Sequence, residues 1–180
     1  FHPVKTMTTG EGGAITTNDT ALFKKLKALR SHGITKNPEE LSQTPGPWYY
    51  EMQQLGFNYR MTDIQAALGT SQLSKLDCFV QRRREIVATY NEAFGGVAWI
   101  RTPTERDGVY SAFHLYVIQT DFSAIGMSRA EAMAQLKDHG IGTQVHYIPV
   151  HMQPYYRNRY GFREGDFPVA ETFYQSALTL

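Results

Sequence analysis

The chain opens with FHPVKTMTTGEGG, residues 1–13, in which Lys5 lies among short polar residues and a glycine-rich turn follows. Residues 14–17 (AITT) come next and predict a short β-strand, because β-branched side chains favour extended backbone. Asn18 or Asp19 then provides an N-cap for a helix whose apolar residues recur at helical spacing. A strand, a turn and a helix in this order predict an α/β fold.

The composition bounds the class of protein. The 180 residues are 42% hydrophobic and 19% charged, enough for a folded core. Lys and Arg total 18 against 17 Asp and Glu, so the net charge of +1 predicts neither a nucleic-acid partner nor a membrane partner. The single cysteine, Cys78, excludes an internal disulfide and is predicted to be buried. Its solitary thiol fits a reducing compartment, and we expect a cytoplasmic protein.

Three segments follow the first helix. Residues 34–60 are irregular and rich in aromatic rings, which predicts either a functional loop or a loop that its rings pin to a core. Thr62 caps a second helix, with a break expected between residues 69 and 79. Beyond residue 96 we expect strands at 114–118 and 142–147, a capping box at Ser128 and Glu131, and a last helix at Pro168.

Few residues point to chemistry on their own. A lysine amine has an ordinary pKa of about 10.4 and becomes nucleophilic by desolvation or by forming an imine with a carbonyl cofactor. Lys5 alone is nevertheless typical of a surface lysine, and the glycines after it lack the spacing of a nucleotide-binding loop. Asn58 and Arg60 offer donors for phosphate or carboxylate, or else only organise their loop. His146 and His151 lack zinc-ligand spacing, so no metal is expected.

Several stretches together resemble one family, the DegT/StrS-type nucleotide-sugar aminotransferases. They are FHPVK (1–5), TGEGG (9–13), LGFNYRMTDIQAALG (55–69), HLYV (114–117) and the segment 140–147 that ends in HY. The resemblance implies the fold type I of enzymes that use pyridoxal 5′-phosphate (PLP). It also implies a fragment, formed by the end of the large PLP-binding domain (1–78), a linking helix (79–96) and a truncated C-terminal α+β subdomain (97–180). We expect the fragment alone to be inactive, because the family's earlier half holds most contacts to PLP.

The resemblance also implies the site residues. Lys5 would be catalytic and carry PLP as a Schiff base, while Asn58 would reach the PLP phosphate of a neighbouring subunit. A homodimer with shared active sites follows from that reach. The residues expected to meet substrate are Asn58, Arg60, His2, His146, Tyr147, Ile148 and Pro149, with Arg60 receiving the donor carboxylate.

The implied substrates are L-glutamate and a UDP-linked keto sugar. Residues 2–5, 46–51 and 145–156 resemble family members that make UDP-4-amino-4,6-dideoxy sugars for pseudaminic acid-type nonulosonates of flagellin or surface glycans. The expected reaction is amination at C4 of a UDP-linked 4-keto-6-deoxy-N-acetylhexosamine. Three alternatives remain: a family member acting on another nucleotide-linked keto sugar, a non-catalytic PLP-binding member, and an interaction module.

Overall fold

The computed structural model describes residues 1–180, which form two units, Phe1–Leu76 and Asp77–Leu180. The three-part division at residues 78 and 96 stays a prediction. No helix is both long and apolar enough to cross a membrane. The elements in chain order are α1 (Thr20–Arg30), β1 (Ile34–Thr35), β2 (Glu51–Met52), α2 (Asp63–Leu73), α3 (Leu76–Phe94), β3 (Ile100–Arg101), β4 (Val117–Thr120), α4 (Arg129–Asp138), α5 (Pro154–Tyr160), α6 (Pro168–Ser176) and β5 (Ala177–Thr179).

Side-chain caps start the helices where the sequence predicts them. The Asp19 carboxylate accepts hydrogen bonds from the first backbone amides of α1. Thr62 at α2 and Ser128 at α4 each form a reciprocal capping box with the residue three positions later. Each cap satisfies backbone N–H groups that have no partner inside their own helix. The predicted break between residues 69 and 79 is confirmed, because α2 ends at Leu73 and α3 begins at Leu76.

The first unit contains α1, α2 and the two-stranded antiparallel pair β1–β2. The register of this pair sets Ile34 opposite Met52 and Thr35 opposite Glu51. The prediction of a strand at residues 14–17 is wrong: this stretch pairs with no other strand, and Ile15 is exposed. A strand requires a neighbour for its backbone groups, and none pairs with these residues in the chain.

The second unit contains the antiparallel sheet β3–β4–β5. Its longer helices are α3, α4 and α6. The core around the sheet comprises the buried residues Val87, Tyr116, Ile118 and Leu178. The strand expected at 114–118 lies instead at Val117–Thr120, because pairing with β3 and β5 fixes it there. The strand expected at 142–147 is wrong, since only Gln144 forms a bridge, with Thr179.

The prediction that Cys78 is buried is also wrong. Cys78 lies on α3 and is exposed. The buried residues of that helix are Val80 and Val87, seven positions apart and therefore on one face. Cys78 precedes Val80 by two residues, about 200° around the helix, so it lies on the opposite face.

Ile118 lies in the core and is only 3% exposed, so we expect its truncation to lower stability strongly. Replacing Ile118 with alanine should lower the free energy of unfolding by about 2–5 kcal/mol, because the cavity adds to the lost burial. Ile64 on α2 is 84% exposed, and its replacement with alanine is the matched control, with an expected change within about 0.5 kcal/mol. Urea unfolding of the full-length protein measures both. Equal effects would contradict the assignment of the core.

Candidate active site

Lys5 lies on a loop that closes on itself through backbone hydrogen bonds. The Lys5 amide donates to the His2 carbonyl over 3.0 Å, and the Thr9 amide donates to the Phe1 carbonyl over 3.1 Å. The amino group of Phe1 donates to the Gly12 carbonyl over 2.7 Å. Residues 1–12 therefore form one ordered turn, and the Lys5 side chain is exposed on it.

The same loop packs against α2. The Gln65 side chain, which caps α2, donates through Nε2 to the Glu11 carbonyl over 3.0 Å. Gly69 faces the buried Thr9, and a Cβ atom at Gly69 would lie 2.8 Å from the Thr9 methyl group. Only glycine permits this approach without displacement. The position of the Lys5 loop is therefore tied to α2.

This geometry fits the attachment of a carbonyl cofactor at Lys5. Such a bond requires an amine that the cofactor can reach, on backbone that holds its place, and Lys5 has both properties. His2 shares the loop: its Nδ1 accepts from the Val4 amide over 3.4 Å, and its Nε2 lies 3.8 Å from the Glu11 carboxylate. A role for His2 in lining the cofactor pocket stays a prediction.

Asn58 and Arg60 stand on the segment that leads into α2. Backbone contacts with the end of α1 fix this segment: Asn58 bridges Ser31, and the Tyr59 amide donates to the Arg30 carbonyl over 2.9 Å. The side chains of Asn58 and Arg60 are both exposed. The segment is thus held through its backbone while both polar side chains are accessible to a ligand.

The aromatic loop before β2 is organised by the Glu51 carboxylate. Glu51 accepts from the Ser42 amide over 2.8 Å, from the Ser42 hydroxyl, from the Tyr49 hydroxyl over 2.9 Å and from Gln53 over 2.9 Å. These donors, the Ser42 hydroxyl first, lower the pKa of Glu51 to about 2. Trp48 and Tyr50 remain exposed, so their rings do not pin this loop to a core within the chain.

The lowered pKa of Glu51 predicts an acid-sensitive loop. Because the folded-state pKa lies below the ordinary value of 4.5, the stabilisation is present above pH 4.5 and is lost as the pH falls toward 2. In Glu51→Gln the acid-dependent part of the unfolding free energy should shrink, and Ser42→Ala should reduce it in part. Urea unfolding between pH 7 and pH 2 measures the difference. An acid dependence of Glu51→Gln equal to that of wild type would contradict the assignment.

The second unit carries the other candidate residues on one segment. His146 is half-buried, and its Nδ1 lies 2.8 Å from the Thr179 hydroxyl of β5. Tyr147 and Ile148 are exposed, and Pro149 is half-buried. An open groove of about 650 Å³ adjoins the segment; its lining includes Tyr147, Pro149, Phe167, Val169 and Phe173. Segment 146–149 thus presents a ring and an apolar surface beside a groove.

The sequence did not predict a buried contact between His151 and Glu171 next to this segment. His151 Nε2 lies 2.8 Å from the Glu171 carboxylate of α6, and both residues are 8% exposed. The Gly165 amide, followed by His151, lowers the pKa of Glu171. His151 therefore has a structural partner in Glu171. The sequence marks Glu171 only as an acidic residue in the first turn of a helix, which is common and does not indicate His151 as its partner.

The predicted site residues thus fall into two groups. Lys5 and His2 share one loop, and Asn58 and Arg60 share the segment before α2, all in the first unit. His146, Tyr147, Ile148 and Pro149 form one segment of the second unit.

Comparison with known proteins identifies the class. A sequence profile of the DegT/DnrJ/EryC1/StrS aminotransferase family matches residues 1–180, and the chain belongs to this family. It is 42% identical over 181 residues to the spore coat polysaccharide biosynthesis protein SpsC of Bacillus subtilis, covering all of this chain and 46% of that protein. It is 38% identical over 180 residues to a UDP-4-amino-4,6-dideoxy-N-acetyl-beta-L-altrosamine transaminase of Campylobacter jejuni, covering all of this chain and 45% of that protein.

A solved structure supports the same family. The chain superposes on Helicobacter pylori PseC, an aminotransferase involved in the biosynthesis of pseudoaminic acid, with a TM-score of 0.86 and 33% identity, covering all of this chain and 46% of that one. The chain spans about half the length of the curated relatives it matches. The expected fold is confirmed: the chain is an α/β part of the fold type I of PLP-dependent sugar aminotransferases.

Proposed function

We propose that the protein containing this chain transfers an amino group from L-glutamate to C4 of a UDP-linked 4-keto-6-deoxy-N-acetylhexosamine. The product would be a UDP-4-amino-4,6-dideoxy sugar for a pseudaminic acid-type nonulosonate. The observation that carries the proposal is the exposed Lys5 on its closed loop, in a chain that matches an aminotransferase family along its full length. The 38% identity to the Campylobacter transaminase supports the substrate.

Lys5 would act twice through its Nζ atom. Lys5 would hold PLP, which would supply an electron sink for negative charge on a substrate carbon. In one half-reaction Lys5 Nζ would take the proton from the α-carbon of the amino donor. In the other it would deliver a proton to C4 of the sugar. This is general acid–base catalysis by one amine, and its kinetics are ping-pong.

Asn58 and Arg60 would hold anionic groups. The Arg60 guanidinium offers a planar pair of donors for the α-carboxylate of L-glutamate, and Asn58 offers an amide N–H to a phosphate oxygen and to substrate. Their exposure on a segment fixed through its backbone supports both roles. We propose that Asn58 serves the PLP site of a second subunit, which makes the enzyme a homodimer with shared active sites.

Segment 146–149, with His2 beside Lys5, would contact the sugar nucleotide. Tyr147 offers a ring face, His146 offers a ring nitrogen, and Ile148 and Pro149 offer apolar surface. A sugar nucleotide requires both kinds of contact, because its base and deoxy sugar are partly apolar while its hydroxyls and phosphates accept hydrogen bonds.

The second candidate is amination of another nucleotide-linked keto sugar. The 42% identity to SpsC, a protein named for spore coat polysaccharide biosynthesis, favours it. A non-catalytic PLP-binding role is a third reading, but the presence of Lys5 favours catalysis.

A direct assay separates these candidates. The full-length protein is incubated with PLP, L-glutamate and UDP-linked 4-keto-6-deoxy-N-acetylhexosamines of both C5 configurations. Mass spectrometry of the sugar nucleotide and measurement of 2-oxoglutarate give the readout. We expect an amino sugar and 2-oxoglutarate in equal amounts from one configuration. Turnover only with a different nucleotide sugar would support the second candidate, and none with any keto sugar would contradict catalysis.

A further inference from the structure

Thr179 has no role in the proposed function, yet its hydrogen bonds connect it to His146, one of the candidate site residues. It ends β5, is 5% exposed, and stands opposite Val117 of β4 in the sheet register. On its other side it exchanges two backbone hydrogen bonds with Gln144, at 2.8 and 3.1 Å. Backbone pairing on both sides therefore fixes the position of the Thr179 backbone, which carries the hydroxyl.

That hydroxyl meets one side chain, the imidazole of His146. The distance from Thr179 Oγ1 to His146 Nδ1 is 2.8 Å, and the two residues are 33 positions apart in sequence. No other hydrogen bond reaches this hydroxyl, so Nδ1 is the one acceptor available to its proton. If Nδ1 carried a proton and donated instead, the buried hydroxyl proton would have no acceptor.

From this arrangement we infer that Thr179 is a positioning residue that fixes the tautomer of His146. The Thr179 hydroxyl donates to Nδ1, and the neutral ring therefore carries its proton on Nε2. Nε2–H is then the ring group left for a ligand, and it recognises an acceptor oxygen. Given the proposed function, on which this part of the inference rests, that oxygen belongs to the sugar nucleotide.

The neighbouring contact between His151 and Glu171 supports this arrangement. His151 Nε2 contacts the Glu171 carboxylate over 2.8 Å, five residues after His146. Residues 146–151 are thus bonded to β5 through His146 and to α6 through His151, with the exposed Tyr147 and Ile148 between. A segment bonded at both ends presents its donor with little reorganisation when ligand binds.

The tautomer is directly measurable. Long-range proton–nitrogen correlation spectra of the [15N]histidine-labelled, PLP-bound, full-length protein distinguish a protonated ring nitrogen from an unprotonated one. The resonances of His146 are those missing from the spectrum of His146→Gln. We expect an unprotonated Nδ1 and a protonated Nε2 in wild type. A neutral His146 ring with its proton on Nδ1 would overturn the inference without any activity measurement.

Variants then test what the hydroxyl does. Thr179→Val keeps the shape of the side chain and removes the donor, so both tautomers should appear and the KM for the sugar nucleotide should rise roughly tenfold with a smaller change in kcat. Thr179→Ser should restore the single tautomer and most of the affinity. The matched control is Thr120→Val, because Thr120 is equally buried in the same sheet and its hydroxyl has no partner.

Unchanged tautomer and KM in Thr179→Val would overturn the inference, as would equal effects in Thr120→Val. If Thr179→Val does not fold, the wild-type spectrum and Thr179→Ser still decide. Failure of the proposed function is distinguishable, because it appears as absent turnover in wild type whatever the tautomer of His146.

Discussion

Replacing Lys5 with alanine is expected to lower kcat roughly 10⁴-fold in the full-length protein, because in the proposed mechanism one amine supplies both the covalent attachment and the proton transfers. The variant should still fold, since Lys5 is exposed and backbone hydrogen bonds between His2 and Lys5 and between Phe1 and Thr9 close its loop. It should still bind PLP without a covalent bond. The measurement is the rate of 2-oxoglutarate release from L-glutamate in the presence of the keto sugar.

Two controls sharpen this test. Lys36→Ala removes another exposed lysine of the same unit and should leave turnover at the wild-type rate. A small primary amine such as methylamine should restore part of the activity of Lys5→Ala, since it supplies the missing base. Wild-type turnover by Lys5→Ala, or equal losses in both variants, would contradict the assignment of Lys5.

Replacing Arg60 with lysine is expected to raise the KM for L-glutamate roughly 10- to 100-fold, because lysine keeps the charge but loses the paired donors that match a carboxylate. The loss belongs to binding, so kcat should change less than KM. The KM for the sugar nucleotide should stay at its wild-type value. Steady-state kinetics with each substrate varied in turn measure these constants.

The matched control for Arg60 is Arg82→Lys. Arg82 is exposed on α3, and its guanidinium forms an ion pair with Glu85 three residues later. An exposed ion pair of this kind contributes little to the stability of the fold. Arg82→Lys should leave both KM values unchanged. An unchanged glutamate KM in Arg60→Lys, or an equal rise for both substrates, would show that Arg60 does not receive the donor carboxylate.

Local features of the fold could be predicted from the sequence, and long-range ones could not. Asp19, Thr62 and Ser128 were found as helix caps because a cap depends on residues within one turn. The strand at residues 14–17 was wrong because its existence depends on a distant strand to pair with. The strand at 142–147 failed for the same reason, since only Gln144 finds a partner.

The candidate site divides in the same way. From composition and spacing alone, Lys5 is predicted to be an ordinary surface residue. Only its combination with motifs elsewhere in the chain indicated a cofactor. Thr179 and Glu171 could not be predicted, because they act on His146 and His151 from 33 and 20 positions away. A threonine on a strand and a glutamate on a helix carry no local mark of such partners.

The covalent state of Lys5 tests the central claim most directly. The full-length protein is loaded with PLP, reduced with borohydride, digested and analysed by peptide mass spectrometry. The account predicts a single pyridoxyl group, on Lys5, and its loss when L-glutamate is added before reduction. A pyridoxyl group on another lysine, or none on the loaded protein, would contradict it.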